Sequence, residues 1–202
     1  MKKLLFVFLL PAVCFGQTEK KDVSVEEVDS LYASIPKVDS QFEYTEVVVL
    51  DSTFTKNVLY KNAKLFYADL FKSAKDILQY DDKEEGKMVG KGNLNLKGSQ
   101  SFLNNESLET RNIIFTIEII CKDGRYKYKI HDINADCTWN TGNTHGHPKE
   151  ETLSLEQSYQ KSQKGMTKKM DRSMFYNTIM GLKETIQRLK LSMAKKPSAA
   201  DF

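Results

Sequence analysis

The sequence predicts an α+β domain in the order strand, helix, four strands in two hairpins, helix, with an antiparallel sheet that carries its helices on one face. Three observations predict it. Residues 59–74 repeat apolar side chains every three or four positions, residues 112–134 alternate them at every second position, and residues 175–193 return to helical spacing. No internal repeat, low-complexity segment or second domain is visible, so residues 40–195 read as a single domain ahead of a frayed tail at 196–202.

The chain opens with Lys2 and Lys3, an apolar run from Leu4 to Phe15, and then Gly16. This is the anatomy of a secretory signal peptide, too short for a permanent span. Cys14 invites a lipoprotein reading, but Val13 stands where lipid attachment expects a small residue, so cleavage after Gly16 is favoured. Loss of residues 1–16 takes the length from 202 to 186 and the formal charge from +3 to +1. A near-neutral mature chain argues against a dedicated nucleic-acid binder. With no further apolar run of membrane length, the expected place is the periplasm or the cell exterior. Residues 17–39 are polar with scattered Val23, Val25, Val28 and Leu31; they read as a mobile leader, with room for a helical turn or two before Pro36.

Phe42 to Asp51 is a β-branched run of strand type. In the helix that follows, Leu59, Ala63, Phe66, Leu70 and Ala74 form one stripe beside Tyr60, Tyr67 and Phe71, with Thr55 as N-cap. Aromatics at this spacing make a core face far more often than a ligand box. In the hairpin at 112–134, Ile113, Phe115, Ile117, Ile119 and Cys121 are odd-numbered, and Tyr126, Tyr128 and Ile130 are even. A two-residue type I′ turn at Asp123-Gly124 puts both sets on one face, pairing Cys121 with Tyr126, Ile119 with Tyr128 and Ile117 with Ile130. The same register sets Glu118 opposite Lys129 on the other face.

Cys121 and Cys137 are an even pair, which an oxidising compartment would invite to bridge. Yet Cys137 lies 11 residues beyond Tyr126. A straight strand, at about 3.3 Å per residue, would part the two thiols by roughly 30 Å or more. They are expected to be free, with Cys121 in the core. The C-terminal stripe runs through Phe175, Ile179, Leu182, Ile186, Leu189 and Met193, with Met166, Met170 and Met174 upstream. Ser154 with Gln157 suits a capping box, and Gly165 could divide the run.

The stretch Tyr80 to Leu96 holds Asp81, Asp82, Glu84 and Glu85 at one end and Gly90-Lys91-Gly92 at the other. A phosphate loop would open onto a helix N-terminus, whereas this one continues into an alternating strand. It reads as a hairpin turning through Lys83 to Gly86, with Tyr80 on the face of Met88, the acids at a solvated tip, and Gly90 and Gly92 facing the helices.

Chemistry-bearing residues are sparse. His145 and His147, with Cys137 and His131 upstream, hold ligand types suited to zinc, but their spacing matches no standard structural site and a solvated loop is favoured. No nucleophile elbow or cysteine–histidine signature appears, and Asn105-Glu106-Ser107 is a weak glycosylation sequon. Arg125, Lys127, Lys129 and His131 alternate with the buried set of their strand, and Lys91 points the same way, giving a basic face that could bind an anion or polysaccharide. Glu118 neutralises part of it.

Together, Leu59-Tyr60, the helix aromatics, Asp82-Lys83 to Gly86, Gly90-Lys91-Gly92 and Asp123-Gly124-Arg125-Tyr126 resemble a Bacteroidetes family of secreted domains of unknown function with a TATA-binding-protein-like fold, over about residues 40–195. The resemblance implies a curved sheet backed by two helices. It implies no known activity, no cofactor and no catalytic residues, and a shared fold does not transfer DNA binding. The expected function is a non-catalytic binding or interaction module for a protein, small ligand or glycan. The alternatives are a hydrolase with a site near His145 and His147, or an anion- or carbohydrate-binding domain using the basic face.

Overall fold

The computed structural model describes residues 22–39, 41–70, 78–102, 105–141 and 149–196. The signal segment, Cys14 and the His145/His147 loop lie outside them. The elements are α1 (Val25–Ser34), β1 (Lys37–Val38), β2 (Gln41–Phe42), β3 (Tyr44–Val49), α2 (Lys56–Leu70), β4 (Leu78–Asp82), β5 (Lys87–Phe102), β6 (Asn105–Lys122), β7 (Arg125–Thr141), β8 (Lys149–Ser154), α3 (Leu155–Gln163) and α4 (Lys168–Met193).

The main sheet is antiparallel and curved, ordered β3-β7-β6-β5-β4, with β8 also paired to β7. β7 is long enough to hold β3 against residues 125–130 and β8 against residues 134–139 on the same edge. Its inner face is buried: Met88, Ile113, Phe115, Ile117, Ile119, Cys121 and Ile130 are at most 1% exposed, under Leu59, Ala63 and Tyr67 of α2 and Phe175, Ile179 and Leu182 of α4. Tyr67 donates its hydroxyl to the Ile117 carbonyl at 2.8 Å, tying α2 to the sheet centre. The expected α+β architecture is present, with additions.

The β6–β7 register is the one the alternation predicts: Cys121 faces Tyr126, Ile119 faces Tyr128, Ile117 faces Ile130 and Glu118 faces Lys129. The turn itself differs. Only Gly124 of the two central residues has positive φ (67°), so the turn is not type I′, which needs both. The reason lies outside the hairpin. Asp123 accepts a bond from the Lys56 amide at 2.6 Å, and Gly124 N–H donates to the Phe54 carbonyl at 2.8 Å. The turn's carboxylate thus caps the first turn of α2, alongside the Thr55 hydroxyl at the Val58 amide.

Two bulges reset parity where the sequence shows no glycine. Between Ile114 and Thr116 the partner register skips, so that Asp132, at φ 53°, and Ile133 face one residue of β6. From there Ile133, Ala135 and Cys137 turn inward. A second shift, between Leu78 and Tyr80, pairs Tyr80 with Val89 and Asp81 with Met88. Tyr80 is therefore not on the face of Met88, and Asp81, though exposed, is not without partners: it accepts the Tyr60 hydroxyl and bridges Lys64 at 2.9 Å. The rest of the tip turns as expected, with Gly86 at φ 72°.

Residues 23–35 belong to the domain rather than to a mobile leader. A Ser24–Glu27 capping box starts α1, and Val23, Val28 and Ile35 are buried. Tyr32 stacks on Tyr159 at 3.7 Å, and Arg172 Nε donates to the Val23 carbonyl at 3.0 Å. The sparse valines sufficed because α3 and α4 supply the other wall. The C-terminal run divides as Gly165, at φ 103°, suggests; Ser154 and Gln157 form the capping box of α3, and Met166 is 85% exposed, off the stripe. Strand β8 has no counterpart in the sequence reading, because its alternation is masked by Lys149, Glu150 and Glu151.

Both cysteines are free and buried. Burial pushes the Cys121 thiol up to about 12 and the Cys137 thiol to about 11, and raises Tyr67, Tyr126 and Tyr128 above the ordinary phenol value. Folding keeps these groups protonated at pH values where the unfolded chain would ionise them. Their contribution is complete below the ordinary thiol value of 9.0 and declines as pH rises toward 11–12. Equilibrium unfolding should therefore show stability falling steadily above that pH. A thiol reagent at neutral pH should label neither cysteine until the chain unfolds; rapid labelling of the native protein would contradict the packing.

Candidate functional site

Outside the helix-covered face, the sheet presents a second face whose side chains follow the opposite parity. Across its centre run Tyr80, Val89, Glu118, Lys129 and Thr45; one row toward the β6–β7 turn run Asp82, Lys87, Ile120, Lys127 and Val47. The next row holds Lys122, Arg125 and Val49. Thr45, Val47, Val49, Lys122, Arg125 and Lys127 are exposed, and among the described residues no helix covers them.

The five residues expected to form a basic ligand face do share it, but they fall into two groups. Lys91, Lys129 and His131 are occupied. Lys91 Nζ donates to Thr116 Oγ1 at 2.7 Å, and Thr116 in turn donates to Asp132 Oδ2 at 3.2 Å. His131 Nδ1 lies 3.1 Å from the same carboxylate oxygen. Burial alone would raise the Asp132 carboxyl, but His131, Thr116 and Lys91 outweigh it and hold the carboxyl below its ordinary value. The bulge creates this knot by aiming Asp132 outward. It is not a nucleophilic triad, since the threonine bonds the carboxylate and not the imidazole. Lys129 pairs with Glu43 at 3.1 Å rather than with its cross-strand neighbour Glu118, which pairs with Lys87 at 3.2 Å.

Arg125 and Lys127 are the other group. Both are exposed and have no carboxylate within ion-pair distance among the described residues, and Lys122 joins them. Sequence reasoning missed Lys122, although its parity with Ile120 and its place beside the turn were available. The unneutralised charge is thus gathered at one end of the face, flanked by Val47 (55% exposed), Val49 (75%) and Ile120. Cations that make no internal contact can meet an anion without first breaking a pair, and the adjoining β-branched side chains add apolar contact.

Glu109, Arg111 and Asp171 form a buried cluster between β6 and α4. The recess between α2 and α4, lined by Phe66, Asp69, Arg188 and Lys195 among others, encloses about 200 Å³. That is smaller than the few hundred Å³ of ordinary ligand pockets. Among the described residues no three His, Cys, Asp or Glu side chains converge as a metal set would, and no helix is long and apolar enough to cross a membrane.

Comparison with known proteins bears on the fold. The model of a family described as "domain of unknown function (DUF4468) with TBP-like fold" matches residues 44–136, from β3 to the middle of β7. The crystal structure of a DUF4468 family protein from Bacteroides ovatus superposes with a TM-score of 0.55 at 14% identity, over 82% of this chain and 92% of that one. A TBP-like protein from Parabacteroides distasonis superposes with a TM-score of 0.51 at 12% identity, over 77% of this chain and 97% of that one. No curated protein matches the sequence. The basic end of the face, from β3 to the β6–β7 turn, falls inside the matched segment, and residues 44–136 are similar to the DUF4468 family with TBP-like fold.

Proposed function

We propose that this chain is an exported, non-catalytic binding module whose uncovered sheet face takes an anionic partner at the end carrying Lys122, Arg125 and Lys127. One observation carries the reading: these three cations stand exposed and without acidic partners beside Val47 and Val49, while the neighbouring Lys87, Lys91 and Lys129 are tied down. The tied residues stiffen the platform; the free ones are available to a ligand. Export rests on the basic-apolar N-terminus and places the partner outside the cytoplasm, where acidic polysaccharide is the polymer class to test.

The test uses the mature chain, residues 17–202, with heparin as the anionic probe and a neutral glucan as control. Binding to heparin should weaken as salt rises, because exposed ion pairs are screened within about 10 Å at 0.1 M. Reversing Arg125 and Lys127 together to Glu should weaken binding at least about tenfold, roughly 1.4 kcal/mol, with the melting temperature unchanged. Replacing Lys129, which Glu43 already holds, should matter less. Equal binding of both polysaccharides, no binding of either, or indifference to the double reversal would overturn the proposal.

A further inference from the structure

Strand β3 closes one side of the sheet, and β7 is its sole strand partner among the described residues. Its backbone groups can be sorted. The Leu50 amide donates to the Gly124 carbonyl at 2.8 Å, which makes Leu50 and Gly124 a hydrogen-bonded pair that continues the β3–β7 register. Bonded and non-bonded pairs alternate along an antiparallel ladder. Tyr44, Glu46 and Val48 therefore turn their N–H and C=O groups toward β7, and Thr45, Val47 and Val49 turn theirs to the open edge.

Soluble proteins usually blunt such an edge with proline, lysine, a bulge or a covering loop. Here β3 reads Tyr-Thr-Glu-Val-Val-Val, pairs without a bulge, and contains neither proline nor lysine. Its one charge, Glu46, is turned to the helix side and held by Lys190 at 2.6 Å and the Tyr128 hydroxyl at 2.8 Å. The side chains beside the open edge are Val47 and Val49, among the most exposed apolar residues described.

We infer that β3 is a homodimerisation edge, pairing antiparallel with β3 of a second copy about a two-fold axis through Val47. The edge is self-complementary in that register, with Glu46 opposite Val48 so that no like charges meet across it. Centring on Val47 makes it a hydrogen-bonded pair with the second copy's Val47, and sets Thr45 opposite Val49 in both directions. Every open-edge N–H and C=O is then matched. Centring on Glu46 would also bring open-edge groups together, Thr45 against Val47, but would oppose two carboxylates across the axis. The pairing makes one continuous sheet of two domains and runs the outer face of one copy into that of the other. With strands about 4.8 Å apart, the two Lys127 positions lie roughly 14 Å from each other across the axis, close enough for one polymer to touch both. The strand contributes six residues a side, well short of the 20–30 a side of a standard interface, so association at micromolar or higher concentration is expected.

Sedimentation equilibrium of the mature chain across a concentration series into the millimolar range should show a monomer–dimer equilibrium. Val47→Lys opposes two ammonium groups on the axis at a site already 55% exposed, and should shift the protein to monomer without lowering its melting temperature. The added lysine lies beside Lys127 and should leave heparin binding intact or strengthen it, so a dimer lost with heparin binding retained separates this inference from the proposed anion site. Independently, Val47→Cys should form an intermolecular disulfide under mild oxidation, since Cα atoms of a bonded pair lie about 5.5 Å apart. The buried Cys121 and Cys137 should stay out of the reaction, and a cysteine at the distant exposed Leu108 should not cross-link. A wild type that stays monomeric throughout, or a dimer that Val47→Lys leaves intact, would overturn the inference.

Discussion

Replacing Arg111 by methionine is expected to destabilise the fold by about 3–5 kcal/mol, the usual cost of leaving a buried ion cluster without its counter-charge. Arg111 has 2% of its side chain exposed. Its Nε donates to Glu109 Oε1 at 2.5 Å and its Nη2 to Asp171 Oδ1, so one guanidinium neutralises two carboxylates that are themselves 1% and 2% exposed. Burial alone would lower the arginine's affinity for its proton, but Glu109 and Asp171 outweigh that and raise it. Asp171 stands in the first turn of α4, so the cluster also fixes where that helix starts on the sheet. The carboxylate's other oxygen, Oδ2, is buried without a hydrogen-bond partner among the described residues, so the carboxylate depends on Arg111 for its neutralisation. Methionine keeps much of the arginine's bulk and removes the charge. Urea unfolding reads the effect, and the melting temperature should fall by roughly 10 °C or more for a chain of this size. Replacing all three members by apolar residues of similar volume should recover most of the loss, because the penalty comes from orphaned charge and not from lost packing. A single-variant cost below about 1 kcal/mol would contradict this description of the cluster.

Alanine at Gly92 should cost about 1–3 kcal/mol, although it adds only one methyl group. A Cβ there would lie 2.4 Å from Cε2 and 2.7 Å from Cζ of Phe115. That ring is fully buried and crosses β5 at its cross-strand partner Gly92, where there is no side chain in the way. Overpacking of this kind is relieved by shrinking the partner. Phe115→Leu, destabilising by itself, should cost less in the alanine background, with a coupling of roughly 0.5–3 kcal/mol in a double-mutant cycle. Additive effects would mean the ring moves aside freely. The helix-side approach that Gly92 was expected to permit is made elsewhere: a Cβ at Gly181 would meet Leu94 at 2.7 Å, and one at Gly98 would meet Met170 at 3.0 Å.

Much of this fold is local and could be read locally. The β6–β7 register follows from side-chain alternation and turn length alone, and the capping box of α3 follows from two residues three apart. What escaped depends on partners far along the chain. Asp132 makes a bulge without glycine because Thr116, Lys91 and His131 gather around its carboxylate. Segment 23–35 packs because α3 and α4 offer it an apolar wall, which its own sparse valines do not announce. Arg111 has the inward parity of Ile113, yet a rule that turns charges outward hides it until Glu109 and Asp171 are seen beside it. The basic face was legible as a stripe, but not which of its members would be free. Parity predicts Lys129 opposite Glu118; only the three-dimensional arrangement shows the diagonal pairs with Glu43 and Lys87.

The central claim, that a ligand meets the uncovered sheet face and not the helices, is tested most directly by backbone amide chemical-shift mapping of the ¹⁵N-labelled mature chain during titration with a heparin oligosaccharide. The predicted result is a contiguous set of perturbed amides at Lys122 to Lys127 and on β3 around Val47, with α2 and α4 unmoved. Perturbations centred on the recess between α2 and α4, or scattered over the surface without a focus on the basic end, would contradict it.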